Sequence, residues 1–336
     1  MTRKATIKDI ARLVGVTPTT VSNVLNGTNR FGDDTRQRVM AVAEELNYTP
    51  NMSARALVKK RTYTIGLFIP ASPRAFLDAY FSELLRGLTE VSLKHGYVVS
   101  IIYSDGLREG VRDRLDGLIL TEIKLHDPYI DYFRAIGMPF VALGKGNEHE
   151  AADHVISDTS KALKETVNYL YRIGHRRIGY ALGPLVYEYV YERYKLFREM
   201  QRALGLDYCV RHIATGANSR EGGAMAARRI VRNRSDNPTA IIASTDIMAL
   251  GVIEYLQSVG YGVPQDLSVV GFDDADFSKY VHPSITTVRH DIYRAGCEAA
   301  AMLIAKLEGL NYAGRVSLPV KFIVRESTAS PQSIEV

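Results

Sequence analysis

The chain has 336 residues, 46% of them hydrophobic and 24% charged, a length that holds two or three domains with sizeable cores. No apolar run reaches the roughly 18 residues of a membrane span, and the charged, amphipathic start MTRKATIKDIARLVG lacks the apolar centre of a secretory signal. A cytoplasmic, nucleoid-associated protein with no membrane partner is therefore expected. The two cysteines, Cys209 and Cys297, stand in no metal or redox spacing, which argues against a disulfide framework.

Charge is unevenly placed. Residues 1–61 hold 11 Lys and Arg against 5 Asp and Glu, whereas the remainder holds 31 against 32. The basic excess thus sits in the first fifth of the chain, as a polyanion-binding head or as a solvated basic end. Within it, Ile7, Ile10, Ala11 and Val14 follow the i, i+3, i+4, i+7 spacing of an amphipathic helix, with Thr6 as its cap and Gly15 as its stop. Thr17 can cap a second helix whose first turn suits Pro18. Val21, Val24 and Leu25 would face inward, leaving Thr19, Asn23 and Asn26 outward, where surface helices usually carry Lys and Glu. Thr and Asn hydrogen-bond base edges and phosphates. A third helix over 33–48 follows, with Val39, Val42, Ala43 and Leu46 as its stripe. Two helices joined by a glycine turn, with a third across them, read as a helix-turn-helix or as a generic three-helix bundle. Next, TPNMSARALVKKRT (Thr49–Thr62) is short, basic and alanine-rich. It is either a plain linker or a segment that orders on DNA with Leu57 as a wedge between base steps.

After Thr62 the pattern changes to strands alternating with helices. TYTIGLFIP, YVVSIIYS, DGLILTEI, PFVALG, HVISD, RRIGYALG, TAIIAST, LSVVGFDD and KFIVRES are the candidate strands. Such runs indicate an α/β body of parallel sheets covered on both faces, in two doubly wound lobes. Ligands bind such sheets beyond the strands' carboxyl ends. Asp78, Tyr80, Asp158, Arg193, Thr245 and Asp273 stand there, Asp158 as ligand contact or helix cap, Arg193 as ligand contact or ion pair. Asp246 and Asp274 are expected as caps. Of the tyrosines in VYEYVYERY, one at most is expected to touch a ligand, the rest forming partly buried helix surface. There is no G-x-G-x-x-G, G-x-x-x-x-G-K-[ST] or G-x-S-x-G, and no histidine in metal-ligand spacing, so no catalysis, metal or cofactor is expected.

The stretches TIKDIARLVGVTPTTVSNVLNG and TRQRVMAVAEELNYTPNMSARALVKKRTYTIGL resemble the lactose-repressor (LacI/GalR) family of bacterial transcription regulators. The resemblance continues through GHRRIGYALGP, ASTDIMALGVIEYLQSVGYGVPQDLSVVGFDDADFSKYVHPSITTVRHDIYRAG and VRESTAS. It implies a helix-turn-helix domain over 1–49, a hinge over 50–62, and a two-lobed domain like the type I periplasmic sugar-binding proteins over 63–330. Its first lobe would span about 63–157 and 288–314, its second about 158–287 and 315–330. It also implies a homodimeric repressor on double-stranded operator DNA, controlled by a sugar-like effector. Pro18, Thr19 and Asn23 would enter the major groove, and Thr17, Thr20, Ser22 and Asn51 would hold phosphates. Arg30 would reach DNA from the following loop, and Leu57 would be the minor-groove lever beside Ala54. Positions matching Arg193, Thr245 and Asp273 would contact the effector. The chain departs from the family at Asp78-Ala79-Tyr80-Phe81, at Leu196, and between Gly96 and Asp116, where roughly ten residues and a helix are missing.

Overall fold

The computed structural model describes residues 5–25, 32–46, 48, 61–69, 79–104, 110–145, 153–232 and 236–331. The chain forms two compact units, Met1–Thr62 and Tyr63–Val336. In the first, α1 (Ile7–Val14), α2 (Pro18–Leu25) and α3 (Asp33–Glu45) enclose a core of Ile10, Ala11, Val14, Val21, Val24, Val39 and Ala43. Gly15 ends α1 in the left-handed region (φ 76°) with its N–H on the Ala11 carbonyl, the turn that glycine makes at least cost. Arg38 donates to the Val14 carbonyl at 2.7 Å, fixing α3 across the end of α1.

The second unit is built on parallel sheets. One has the order β11-β5-β4-β3-β1-β2, from β1 (Thr64–Ile69), β2 (Val98–Tyr103), β3 (Gly117–Leu120), β4 (Phe140–Leu143), β5 (His154–Ser157) and β11 (Arg315–Leu318). Helices α4 (Ala79–Lys94) and α10 (Ile292–Glu308) cover one face through Leu84, Leu88, Ala299 and Leu303. On the other face α5 (Pro128–Ala135) places Ile130 and Phe133 against Phe68, Leu118 and Leu120. The passage from β2 to β3 holds, among its described residues, only the 3-10 turn Val111–Asp113, in keeping with the shortened sequence there.

The other sheet runs β7-β6-β8-β9, from β6 (Ile178–Leu182), β7 (Ile213–Thr215), β8 (Ala240–Ala243) and β9 (Ser268–Val270). Helices α8 (Arg220–Ile230) and α9 (Asp246–Ser258) cover one face, and α6 (Thr159–Arg172) and α7 (Glu188–Ala203) the other. The antiparallel pair β10 (Thr287–His290) and β12 (Val320–Ile323) packs on this second lobe through Val288, Val320 and Phe322. All nine anticipated strands are present; β7, β10 and β11 are additional. The expected lobe boundaries shift accordingly. Arg315–Leu318 pairs with β5 and completes the first sheet, whereas Thr287–His290 belongs with the second lobe, because its apolar side chain joins that core. The chain thus crosses between lobes after β5, β10 and β11.

His175 is fixed between lobe and C-terminal segment. Its Nε2 donates to the Ala329 carbonyl at 3.0 Å, leaving Nδ1, 2.8 Å from Thr239 Oγ1, to accept. Burial lowers its pKa from 6.5 to about 4. The unfolded chain takes up this proton first, so the stabilisation is complete above pH 6.5 and is lost as pH falls toward 4, by roughly 3 kcal/mol at most. His175→Gln should flatten the stability slope across that window in urea unfolding series. A slope identical to wild type would refute the assignment.

Candidate nucleic-acid interface and ligand cleft

The first turn of α2 is capped from its own sequence. Thr17 Oγ1 accepts the Thr20 N–H at 3.1 Å, and the two hydroxyls lie 2.9 Å apart. Val21 and Val24 are buried beneath this turn. Thr17, Pro18 and Thr19 are exposed, and Thr20, Ser22 and Asn23 half-buried. Of the outward face expected at Thr19, Asn23 and Asn26, Thr19 is exposed, Asn23 is half-buried, and Asn26 lies outside the described residues. A helix beginning this way presents donors and a partial positive charge to a phosphate, and side chains short enough to reach base edges. Arg30, Asn51, Ala54 and Leu57 lie outside the described residues.

In the second unit the carboxyl ends of the two sheets meet. The loop after β3 bonds the loop after β6: Leu125 N–H donates to the Val186 carbonyl at 2.9 Å, and Glu188 N–H to the Ile123 carbonyl at 3.0 Å. Lys124 and Tyr187 pair between them as an antiparallel bridge. Glu122 and His126 flank this clasp with left-handed φ values of 50° and 52°, a conformation that costs non-glycine residues about 1 kcal/mol or more each. Asp127 steadies the loop by accepting the Lys124 and Tyr129 N–H groups while capping α5.

Beside the clasp lies a cluster of polar and aromatic side chains. Arg193, 5% exposed, donates to the Ser244 carbonyl at 3.2 Å and stacks over Phe272 (4.1 Å) and Tyr189 (5.2 Å). It makes no ion pair among the described residues, and its Nε is buried without a hydrogen-bond partner. The ion pair that was the alternative to a ligand contact is thus not seen among the described residues. Tyr189 receives a hydrogen bond from Asn218 Nδ2 at 2.9 Å, and Asn218 Oδ1 is likewise buried without a partner. Tyr187 and Tyr189 stack at 6.0 Å and 15°. Burial, aided by the Glu122 charge, pushes the Tyr187 hydroxyl up to about 12 and raises that of Tyr189 further. Asp273, at φ 115°, lies 2.9 Å from His290 Nε2, and the His290 ring is 6.4 Å from that of Tyr80, which stands in the first turn of α4.

The structure thus brings Tyr80, Arg193 and Asp273 together through Phe272 and His290. Thr245 sits next to Ser244, its hydroxyl capping α9 by accepting the Met248 N–H at 3.3 Å. Asp158 is a helix cap, accepting the Lys161 N–H at 3.1 Å. Asp78 is outside the described residues. Two expected caps are corrected. Asp246, fully buried, accepts the Ala275 N–H at 2.8 Å and the Thr287 hydroxyl at 2.5 Å; burial, reinforced by the Asp273 charge, holds its carboxyl well above the usual range. Asp274 accepts from Arg289 and Arg325. Sequence reading missed Glu122, Asn218, Ser244, Phe272 and His290, although each follows or ends a strand. No described residues gather as a metal site, and no described helix is long and apolar enough to cross a membrane.

Residues 6–51 match the family model for bacterial regulatory proteins of the lacI family, and residues 167–328 that for a periplasmic binding protein-like domain. The HTH-type transcriptional repressor PurR of Vibrio cholerae serotype O1 (strain M66-2) is 31% identical over 321 residues, 93% of this chain and 94% of its own. The solved complex of the transcriptional regulator CelR with cellobiose is 27% identical, with a TM-score of 0.73 over 96% of this chain and 99% of that one. The lac repressor dimer bound to operator and the anti-inducer ONPF shares the fold, at a TM-score of 0.85 and 24% identity over 97% of this chain and 100% of that one.

Among the described residues no carboxylate pairs with the buried Arg193 guanidinium, so little stability should rest on its charge. Arg193→Met should leave the stability of the ligand-free chain within about 1 kcal/mol of wild type in urea unfolding. A loss of about 3–5 kcal/mol, as when a buried ion pair is broken, would show that Arg193 is structural.

Proposed function

The chain belongs to the lacI family of bacterial regulatory proteins, and from that premise we propose that it is a sequence-specific transcriptional repressor, not an enzyme. It acts in the cytoplasm as a homodimer on an inverted-repeat operator, under the control of a small effector in the cleft of its second unit. The observation that carries the DNA reading is the capped α2 with its outward face of Thr17, Pro18, Thr19, Thr20, Ser22 and Asn23. Thr19 and Asn23 contact base edges in the major groove, with Pro18 offering an apolar contact such as a thymine methyl. Thr17, Thr20, Ser22 and Asn51 hold phosphates, and Arg30 adds a contact from the next loop. Residues 50–62 form the hinge, where Ala54 lines and Leu57 wedges the minor groove at the operator centre, favouring a flexible pyrimidine–purine step.

For the effector, a sugar or sugar derivative is supported by the cluster of guanidinium, amide and aromatic side chains beside Tyr189, and by the CelR–cellobiose likeness. Arg193, Asp273, Tyr80, Thr245 and the loop at Asp78 are its contacts; Asp158 is retained only as the cap it forms. The Arg193 guanidinium and the Asn218 amide offer donors and an acceptor to ring hydroxyls. Ligand bridging the two lobes shifts their arrangement, and with it the order of the hinge.

Asn23→Ala should weaken binding to the cognate operator by about 1–3 kcal/mol and relax preference at one base position. Titrations against operator and random duplexes at one salt concentration check this. Equal losses on both would assign Asn23 to a phosphate instead. A thermal-shift panel of sugars, sugar phosphates, nucleosides and purines should give a stabilising hit that Arg193→Ala abolishes. A hit that survives the substitution would place the effector elsewhere.

A further inference from the structure

Away from the cleft, an open pocket of about 430 Å³ lies on the outer edge of the second lobe, where β7 is the last strand of its sheet. Its floor is apolar, from Leu182, Leu185 and Ile213, with Tyr194 alongside. Around it stand Arg211, Arg229 and Arg232, from the turn before β7 and from the end of α8 and the residues after it. Behind the lining residue Tyr194 stands a fourth, Arg198, which donates to the Tyr194 hydroxyl at 3.2 Å and to that of Tyr208 at 2.7 Å.

These four guanidiniums make one ion pair among the described residues, Arg211 with Asp236 at 2.5 Å. Arg229 and Arg232 donate to main-chain carbonyls, those of Thr215 and Arg229 respectively. Such bonds neutralise no charge and leave other N–H groups of each planar fork directed elsewhere. Positive charge concentrated over an apolar floor is costly to solvate and raises the local concentration of anions. Guanidinium forks match oxyanions in geometry, and the volume falls in the range of small-ligand sites.

We infer that this edge pocket is a second ligand site, taking a small organic oxyanion whose phosphate or carboxylate groups meet Arg211, Arg229 and Arg232 while its carbon skeleton rests on Leu182 and Leu185. The site is independent of the cleft and of the effector reading, since it shares no residue with either.

Isothermal titration of the full chain with sodium pyrophosphate, and separately with citrate, at one fixed ionic strength tests it. The wild type should show saturable binding of at least one anion, and the tighter of the two identifies the oxyanion. The double substitution Arg229→Gln with Arg232→Gln should weaken that binding at least tenfold, with the circular dichroism spectrum unchanged. Leu185→Glu, which puts a carboxylate on the pocket floor, should reproduce the loss, and it decides the matter if the double variant fails to fold. Absence of saturable binding in the wild type overturns the inference. So does affinity that the folded variants leave unchanged, which would place the anion in the basic head or the cleft.

Discussion

The carboxyl group of Asp246 is the pin on which the second unit's site turns. Fully buried at the start of α9, it reaches in one direction to the Ala275 N–H and in the other to the Thr287 hydroxyl. The loop after β9 is thereby bound to the first residue of β10. That loop carries Phe272 beneath the Arg193 guanidinium, and Asp273 against His290. A buried carboxyl that satisfies two donors holds these residues more narrowly than packing alone would. Asp274, taking two guanidiniums from β10 and the C-terminal segment, ties the same loop from its other side.

Much of this architecture was legible in the residues. Spacing at three and four residues marked the buried stripes of α1 to α3, and Thr17 before Pro18 marked the start of α2. Continuous Val, Ile and Leu runs marked the strands buried on both faces. The strands that escaped notice are three or four residues long: β7 has one buried residue, and β11 alternates exposed and intermediate positions until Leu318. Their partners, not their composition, make them strands.

The site follows the same division. Arg193 and Asp273 could be named from their positions after strands, but not what surrounds the Arg193 guanidinium. That depends on Ser244, Phe272 and Tyr189 arriving from separate elements. Asn218 follows β7, a strand too short to announce it. Asp274 looked like a cap because its guanidinium partners are 15 and 51 residues away. Local pattern reports local structure; charge pairing over such distances belongs to the fold.

The order in which the chain fills its sheets bears on how it is made. The second lobe's four parallel strands are all synthesised by Val270, whereas the first sheet waits for β11, Arg315–Leu318, to cover the edge of β5. Of the two parallel sheets, the one begun first is therefore completed last on the ribosome. Until then β5 presents an open strand edge, the kind of surface that pairs with other nascent chains. The same late stretch supplies β12 and the Ser327 contacts to β9, so both lobes are sealed by one terminal segment. A protease that trims that segment would unseal both at once.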